Sequence, residues 1–311
     1  MKLSFMTDSL GYLKYEEMLD VISGMGVKAI EIATGNWSKA PHIDLEQMLA
    51  SKLERERFME ALNKRDMTLH ALNCSGNPLA PGRSGKAHLD VTLKTIKLAE
   101  LLNVNKIVMM SGLPGGCKDD KSSVWVVTSW PPETQNMLDY QWNEVAIPFW
   151  KDLAGTAKDS GIERIALENH GWQLVYNVET INRLQNHVGE IVGMNLDPGH
   201  AFWMGADPIA MARALKGKIY HIHGKDARLE KGLLDINTVL DTKTIERFSE
   251  RSWNYVAVGY GHDHQWWKEF LSIVKMSGYD DYVSLEMEDL TMTPMAGVKA
   301  SINVLKECIC T

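Results

Sequence analysis

Short apolar runs rich in valine, isoleucine and leucine recur along the whole chain and alternate with amphipathic segments of helical length. The predicted strands are residues 3–6, 29–33, 68–73, 106–110, 164–168, 193–197, 219–223 and 282–286. The predicted helices include residues 15–25, 45–65, 86–102, 142–160 and 266–277. Strands that alternate with helices form βα units and a parallel sheet. Eight such units in 311 residues predict a (β/α)₈ TIM barrel that forms a single domain over residues 1–311.

The alternative arrangement of such units is an open, doubly wound sheet. Sheets of that kind which bind dinucleotides carry a glycine-rich phosphate loop, GxGxxG, directly after a strand. The segment MKLSFMTDS, which contains the first predicted strand, has no such loop. No linker of low complexity divides the chain, which favours the single barrel domain.

Two connections, residues 111–141 and 224–262, are much longer than the others. Connections of this length are usually functional or disordered. In a barrel both follow strands and lie on the C-terminal face, where active sites are found. Aromatic side chains occur in both, including Trp130 in the first and Tyr255 in the second. We expect them to form walls of a substrate pocket, and the alternative is two solvated excursions packed on the barrel.

The composition limits the possible functions. A formal net charge of −7 argues against a nucleic-acid partner, because such surfaces carry a basic excess. No run of about 18 apolar residues is present, which argues against a membrane span. The N-terminal residues do not match a signal peptide, so we expect a cytoplasmic protein. The four cysteines match no zinc-binding spacing.

Each of the last four predicted strands ends in a residue that can bind a metal: Glu168, Asp197, His223 and Glu286. The C-terminal ends of neighbouring strands in a parallel barrel meet around one rim, so these four side chains can converge. Three carboxylates and one imidazole suit one divalent cation, with Mn²⁺ favoured and Mg²⁺, Co²⁺ or Zn²⁺ as alternatives. A cation would also relieve the repulsion among three close carboxylates.

Side chains two residues apart share a strand face. The residues two positions before the four ligands are small or polar: Ala166, Asn195, His221 and Ser284. The residues between them are aliphatic: Leu167, Leu196, Ile222 and Leu285. This pattern predicts a polar interior at the upper layer of the barrel and an apolar exterior against the helices.

Five motifs resemble those of the sugar phosphate isomerase/epimerase family within the xylose-isomerase-like superfamily of TIM barrels. They are LENH (167–170), NLDPGH (195–200), HIHGKD (221–226), VGYGHD (258–263) and SLEMED (284–289). The resemblance covers essentially the whole chain, and includes NPLAP (77–81) and WPPE (130–133). It implies a metal site formed by Glu168, Asp197, His223 and Glu286, the same four residues that the strand ends predict.

The resemblance also implies residues that contact the substrate. His200 matches a histidine that contacts the substrate or the water on the metal. An arginine that some epimerases carry after the metal-binding histidine has no certain counterpart here, and Lys225 and Arg228 are the two candidates. Three further residues are candidates for substrate binding because of their positions. These are His70 at the end of a strand, His262 in a glycine-containing turn, and Trp130 in the first long connection.

The sequence leaves some of these roles open. His70 fits a structural role equally well, and Asp263 in the same turn as His262 can cap a helix. Trp130 can instead fill the core. Glu31 lies between aliphatic residues and is expected to point inward, where we favour an orienting role over catalysis.

The expected chemistry is the removal of a proton from the carbon beside a carbonyl, which gives an enediolate that the metal stabilises. Glu168 and Glu286 would act both as ligands and as the two proton carriers, as in the resembling ketose 3-epimerases. Return of the proton gives an epimerase or an isomerase of a free or phosphorylated sugar or sugar-like polyol. Expulsion of a leaving group instead gives a lyase, either a C-glycoside deglycosidase catalytic subunit or an inosose-dehydratase-like enzyme.

The same superfamily contains DNA-repair enzymes of the endonuclease IV branch. Those enzymes use a three-metal cluster and a phosphate-binding surface. The single set of four ligands in this chain disfavours such a cluster, and the negative net charge disfavours a phosphate-binding surface. The predicted partner is therefore a small carbohydrate. We expect a homo-oligomer, or a complex with a smaller subunit if the protein is a C-glycoside lyase.

Overall fold

The computed structural model describes residues 1–310 of the chain. Within that part, the structure has ten strands: β1 (Lys2–Met6), β2 (Ala29–Ala33), β3 (Thr68–Asn73), β4 (Lys106–Met109), β5 (Arg164–Glu168), β6 (Val192–Leu196), β7 (Ile219–Gly224), β8 (Asp226–Leu229), β9 (Trp253–Val256) and β10 (Tyr282–Leu285). Eight of them form a closed parallel barrel in the order β1-β10-β7-β6-β5-β4-β3-β2. The predicted fold is thus confirmed, and each predicted barrel strand agrees with the observed one to within one residue at either end.

Twelve α-helices occur in residues 1–310: α1 (Tyr15–Gly24), α2 (Leu45–Ala50), α3 (Lys52–Asn63), α4 (Arg83–Leu102), α5 (Glu133–Asp139), α6 (Ile147–Asp159), α7 (Val178–Val188), α8 (Pro198–Trp203), α9 (Pro208–Ala214), α10 (Lys231–Asn237), α11 (His264–Met276) and α12 (Pro294–Cys308). Short 3₁₀ segments cover Thr7–Leu10 and Ile245–Glu250, and a π-helix covers Tyr140–Ala146. Every described helix is too short or too polar to span a lipid bilayer.

Two predicted helices differ from the observed ones. The predicted helix 45–65 is broken at Ser51, which adopts an extended conformation and whose Oγ accepts a hydrogen bond from the backbone N–H of Glu54. Serine in this geometry starts a new helix, here α3. The predicted helix 142–160 instead begins at Glu133 and passes through the π-helix. Pro148, which has no backbone N–H to donate, lies in the first turn of α6 where the wider turn ends.

The chain divides into two compact units. The first contains residues 1–31, 60–69 and 195–310, and the second contains residues 32–59 and 70–194. In the first unit the strand register pairs Ser4 with Ser284 and Ser284 with His223. These three polar side chains therefore lie at one level of the barrel wall, and each is 0–1% exposed.

In the second unit β4 pairs with β3 and with β5, and the register sets Val108 opposite Ala166. Trp150 on α6 is fully buried, and its indole N–H donates to the carbonyl of Ser111, directly after β4. The first long connection is thereby fixed at its start to the helix layer of this unit.

The second long connection, 224–262, is more ordered than the sequence predicted. It contains β8 and β9, which pair as an antiparallel ribbon, and the short helix α10. The sequence did not predict this ribbon because its strands have only four residues each and no two-residue turn joins them.

Candidate metal centre

Two of the predicted ligands, Asp197 and Glu286, lie beside the imidazole of a third, His223, in the first unit. Its Nδ1 lies 3.2 Å from Oε2 of Glu286 and 3.6 Å from Oδ2 of Asp197. Ligand atoms at neighbouring positions around a cation lie about 3.0–3.5 Å apart when each bond is about 2.1 Å long. The side chains of Asp197 and His223 are almost fully buried, and that of Glu286 is 19% exposed. The spacing fits a small divalent cation that solvent reaches from the Glu286 side.

Glu168, the fourth predicted ligand, ends β5 in the second unit and is buried. Within the first unit, the carboxylates of Asp197 and Glu286 both approach Nδ1 of His223. Two close carboxylates repel each other unless positive charge lies between them. This donor set fits a divalent cation, and Glu168 stays the predicted fourth ligand.

Asp197 uses its two carboxylate oxygens differently. Oδ1 accepts a hydrogen bond from the backbone N–H of His200 and caps the N-terminus of α8, while Oδ2 faces His223. Gly199, in the first turn of that helix, packs closely against this carboxylate. A Cβ there would lie 3.0 Å from Asp197 Oδ1 and 3.0 Å from Cγ of Lys225. Helix capping and a close approach of the backbone thus fix the orientation of the aspartate.

Glu31 holds the other side of the His223 ring. Its Oε1 lies 3.3 Å from Nε2 of His223, and its Oε2 lies 2.8 Å from Nε2 of His221. Burial alone would raise the pKa of Glu31, but the two histidines hold it well below its usual value. The shorter distance is that of a hydrogen bond rather than the separation of two ligands across a cation. Glu31 therefore accepts hydrogen bonds and leaves Nδ1 of His223 to face the cation site.

His200 and Tyr255 extend the site away from Asp197. His200 Nε2 lies 3.5 Å from Asp197 Oδ2, and its Nδ1 lies 2.8 Å from the hydroxyl of Tyr255. Burial raises the pKa of Tyr255 well above its usual value, although Lys225 opposes the shift, so the hydroxyl keeps its proton. The sequence analysis placed Tyr255 only in a long connection. The alternation Trp-Asn-Tyr-Val of β9 is the signal that could have placed it on an ordered strand.

Lys225, a predicted substrate-binding residue, is buried beside the ligands. Its Nζ lies 3.1 Å from Oε2 of Glu286, 2.6 Å from Oε2 of Glu288 and 4.4 Å from the centre of the Tyr255 ring. Burial would lower the pKa of Lys225, but the two glutamates raise it well above its usual value. Glu288 was missed from the sequence, although it lies two positions after Glu286, the spacing of residues on one face of a strand.

The other predicted substrate-binding residues occupy different surroundings. Arg228 forms hydrogen bonds of 2.7 and 3.0 Å with Glu230 on the ribbon. His70 is buried on β3 in the second unit. Trp130 is 73% exposed, which rules out the alternative that it fills the core. Contact of these residues with a substrate stays a prediction.

His262 lies in the VGYGHD segment, which packs around the buried carboxylate of Asp226. The imidazole Nδ1 of His262 lies 2.8 Å from Asp226 Oδ1, and its ring stacks on Phe202. Asp226 Oδ2 accepts hydrogen bonds of 3.0–3.2 Å from three backbone N–H groups, those of Gly259, Gly261 and His262. The next residue, Asp263, caps α11 as the sequence alternative expected. The glycines therefore bring backbone N–H groups to a carboxylate of the chain itself.

The first long connection lines a separate cavity in the second unit. The cavity has a volume of about 150 Å³, and its walls include Trp125 of the connection, Trp142 of the π-helix and Arg183 of α7. The guanidinium of Arg183 lies 4.6 Å from the centre of the Trp142 ring. Trp130 is not among its lining residues. The connection thus forms a pocket wall through Trp125.

Comparisons with known proteins agree with this architecture. The chain is 55% identical over 311 residues to an uncharacterised protein, YfiH, of Bacillus subtilis (strain 168), with 99% of each chain covered. It is 28% identical over 143 residues to inosose dehydratase of Serratia proteamaculans (strain 568), which covers 44% of this chain and 47% of that one.

Several solved structures share the fold at low sequence identity. A probable 3-DHS dehydratase, AsbF, from Bacillus anthracis has a TM-score of 0.68 at 17% identity and covers 98% and 99% of the two chains. IolI protein with a bound zinc atom has a TM-score of 0.67 at 19% identity over both whole chains. A D-tagatose 3-epimerase-like protein has a TM-score of 0.66 at 17% identity and covers 98% and 97%.

These neighbours include epimerases and dehydratases, and the fold they share is the closed barrel described above. Residues 19–308 match the family described as xylose isomerase-like TIM barrel. Since this match covers most of the chain, the protein belongs to the xylose isomerase-like TIM barrel family.

Proposed function

We propose that this protein is a divalent-metal-dependent isomerase or epimerase of a sugar or a sugar-like polyol. The observation that carries the proposal is the cluster of Asp197, His223 and Glu286, in which Nδ1 of His223 lies 3.2 Å from Glu286 and 3.6 Å from Asp197. Glu168, the last residue of β5, is the proposed fourth ligand. The carboxylate-rich donor set favours Mn²⁺, and the zinc atom in the IolI structure makes Zn²⁺ the first alternative.

A divalent cation held by these residues would polarise the carbonyl of a bound substrate and stabilise the enediolate that follows loss of a proton. The proton carriers are Glu286 and Glu168, which come from the ends of two different barrel strands. Glu286 is partly exposed, so a substrate can reach its carboxylate, and the Lys225 ammonium 3.1 Å away fixes the position of Oε2. It is therefore suited to accept a proton from the carbon beside the carbonyl.

Lys225 and Tyr255 supply hydrogen-bond donors beside Glu286 and His200. The ammonium of Lys225 is fixed by two carboxylates and by the face of the Tyr255 ring, so it can orient a substrate oxygen without rearranging. His200 lies between Asp197 and the Tyr255 hydroxyl, from which it can receive a hydrogen bond. We assign these residues to binding and orienting the substrate.

A second candidate function is that of a metal-dependent lyase, either an inosose-dehydratase-like enzyme or the catalytic subunit of a C-glycoside deglycosidase. The 28% identity to an inosose dehydratase over 143 residues favours this candidate. The same proton removal by Glu286 would then be followed by loss of water or of an aglycone from the neighbouring carbon. In the deglycosidase case, a smaller subunit would be the partner.

The deciding experiment is incubation of the Mn²⁺-loaded protein in D₂O with ketoses, inososes and 3-keto-glycosides. An isomeric product that carries deuterium beside the carbonyl supports the isomerase or epimerase. Loss of water or of an aglycone assigns the lyase. If no substrate class shows metal-dependent deuterium exchange, both candidates are contradicted.

A further inference from the structure

The positive groups beside the metal centre are already paired with carboxylates of the chain. The ammonium of Lys225 lies within 3.1 Å of both Glu286 and Glu288, and its side chain is only 4% exposed. Arg228, three residues further along the chain, donates to Glu230 through Nε and Nη2. An anionic group on a substrate would have to displace a carboxylate from the buried ammonium of Lys225, which opposes its binding there.

The backbone groups that bind phosphate in many barrels are also engaged. TIM barrels frequently bind phosphate through the loops after the last two barrel strands and the N-terminus of a short helix. Here the three N–H groups of the VGYGHD segment, after β7, point at the buried carboxylate of Asp226. After β10, Asp289 accepts hydrogen bonds from the backbone N–H groups of Ala257 and Thr291.

Three helix N-termini of this unit, those of α8, α11 and α12, are capped by side chains. Asp197 caps α8, Asp263 caps α11, and Thr293 caps α12, each through a hydrogen bond from a backbone N–H of the first turn. A helix N-terminus attracts a phosphate because its N–H groups lack partners and its dipole is positive. In these helices a side chain of the protein, in two cases a carboxylate, already takes that position.

The net charge of the metal centre also opposes the binding of a phosphorylated substrate. With a dication bound and the histidines neutral, the carboxylates of Glu31, Asp197, Glu286, Glu288 and the proposed ligand Glu168 outweigh Lys225 and leave a net charge of about −2. A phosphate group brought near would meet repulsion from groups that are largely buried and weakly screened. A neutral polyol meets no such repulsion and can use the carboxylates as hydrogen-bond acceptors.

We propose that the substrate is a neutral, unphosphorylated polyhydroxylated carbonyl compound. The protein selects it over its phosphorylated counterpart because Lys225 is paired with carboxylates and the nearby backbone N–H groups already donate hydrogen bonds to side chains of the protein. This inference rests on the proposed function, because it concerns the substrate of the same metal centre. Its test must therefore include a measurement that does not depend on turnover.

Inorganic phosphate is the probe for that measurement, titrated into metal-free protein and followed by calorimetry. The wild-type protein is expected to bind phosphate more weakly than about 10 mM. Glu288→Gln removes one of the two carboxylates on Lys225 and is expected to strengthen phosphate binding at least fivefold. Glu307→Gln removes an exposed carboxylate on α12 that pairs with His264, and it is the matched control, with no expected change.

A second measurement compares turnover of D-fructose with that of D-fructose 6-phosphate by the Mn²⁺-loaded enzyme. Submillimolar binding of phosphate by the wild-type protein, or faster turnover of the phosphorylated ketose, would overturn the proposal. Equal binding by wild type and Glu288→Gln, with the variant folded, would also overturn it. If neither ketose reacts, the proposed function is in question. The phosphate titration still shows whether the site disfavours a phosphate group.

Discussion

Oε1 of Glu31 lies 3.3 Å from Nε2 of His223, while the other ring nitrogen, Nδ1, faces the predicted ligands Asp197 and Glu286. The glutamate is fully buried, and its second oxygen accepts from His221. A carboxylate behind a ligating histidine fixes the tautomer and the orientation of the ring.

Glu31→Gln is therefore expected to weaken divalent-metal binding about 10- to 100-fold, because the amide no longer fixes the proton on Nε2 of His223. Titration calorimetry with Mn²⁺ or Zn²⁺ measures the change. Glu16→Gln, an exposed partner of Arg65 on α1, is the control and should bind metal as the wild type does. Unchanged metal affinity in Glu31→Gln would contradict the orienting role.

The two roles of Asp197 can be separated by substitution. Asp197→Asn keeps a side-chain oxygen that can cap α8 but loses the charge, so metal binding should fall strongly while the stability of the metal-free protein changes little. Asp197→Ala should lose the cap as well, at a further cost of about 1 kcal/mol in the free energy of unfolding. Metal titration and urea unfolding check the two outcomes. Equal stability of both metal-free variants would speak against the capping role.

Glu168→Gln and Glu286→Gln are each expected to lower kcat at least about 100-fold, because the amide can neither accept nor return a proton. Deuterium incorporation beside the carbonyl of the substrate should disappear with turnover. Cys308→Ser on α12 is the control and should leave turnover intact. Full activity in either glutamine variant would refute the assignment of that glutamate as a proton carrier.

Gly261 is packed too closely for any larger residue. A Cβ there would lie 2.4 Å from the carbonyl oxygen of Ala227 and 2.6 Å from Oδ1 of Asp226. Gly261→Ala should therefore cost about 1–3 kcal/mol of unfolding free energy, since backbone atoms must move. Gly232→Ala on α10 is the control, because no atom lies within 4 Å of its Cβ position. Urea unfolding should show a loss only for Gly261→Ala.

Asp241 stabilises the segment between β8 and β9 in a manner that depends on pH. Burial would raise its pKa, but hydrogen bonds from the backbone N–H groups of Lys243 and Ser252 lower the pKa to about 2. The unfolded chain has the usual pKa of about 3.9. The stabilisation, on the order of 2 kcal/mol, is therefore fully present above pH 4 and lost as the pH falls toward 2.

Urea unfolding of wild type and Asp241→Asn at several pH values tests this dependence. The two proteins should differ most at neutral pH and converge as the pH approaches 2. Asp235→Asn on the exposed helix α10 should show no such dependence. A difference between wild type and Asp241→Asn that does not change with pH would exclude the carboxylate as its source.

Much of the fold could be read from local patterns. A buried parallel strand needs only a short run of apolar residues, and an amphipathic helix needs only its period, so both are visible within 5 to 20 residues of sequence. The break at Ser51 and the π-helix before Pro148 were missed because each depends on a single residue, the Ser51 hydroxyl or the proline that lacks a backbone N–H, within an otherwise continuous helical pattern.

The candidate ligands were also visible, because a barrel puts the ends of its strands on one rim whatever the loops do. Their neighbours were less visible. Glu288 pairs with Lys225 from a distant part of the chain, and Tyr255 reaches His200 from a ribbon that the sequence did not predict. Such contacts depend on how separate segments pack, which no local period encodes.

The sequence by itself determined the barrel, because eight strands alternate with helices along it, and the residue types at the ends of those strands, because side chains alternate along each strand. The tertiary structure decided what each group faces: Glu31 behind His223, Glu288 on Lys225, and Asp226 inside the glycine-containing segment. These pairings orient the predicted ligands and set the charge around them. They were not predictable because electrostatic interactions depend on distance and burial in three dimensions, and only the folded chain fixes both.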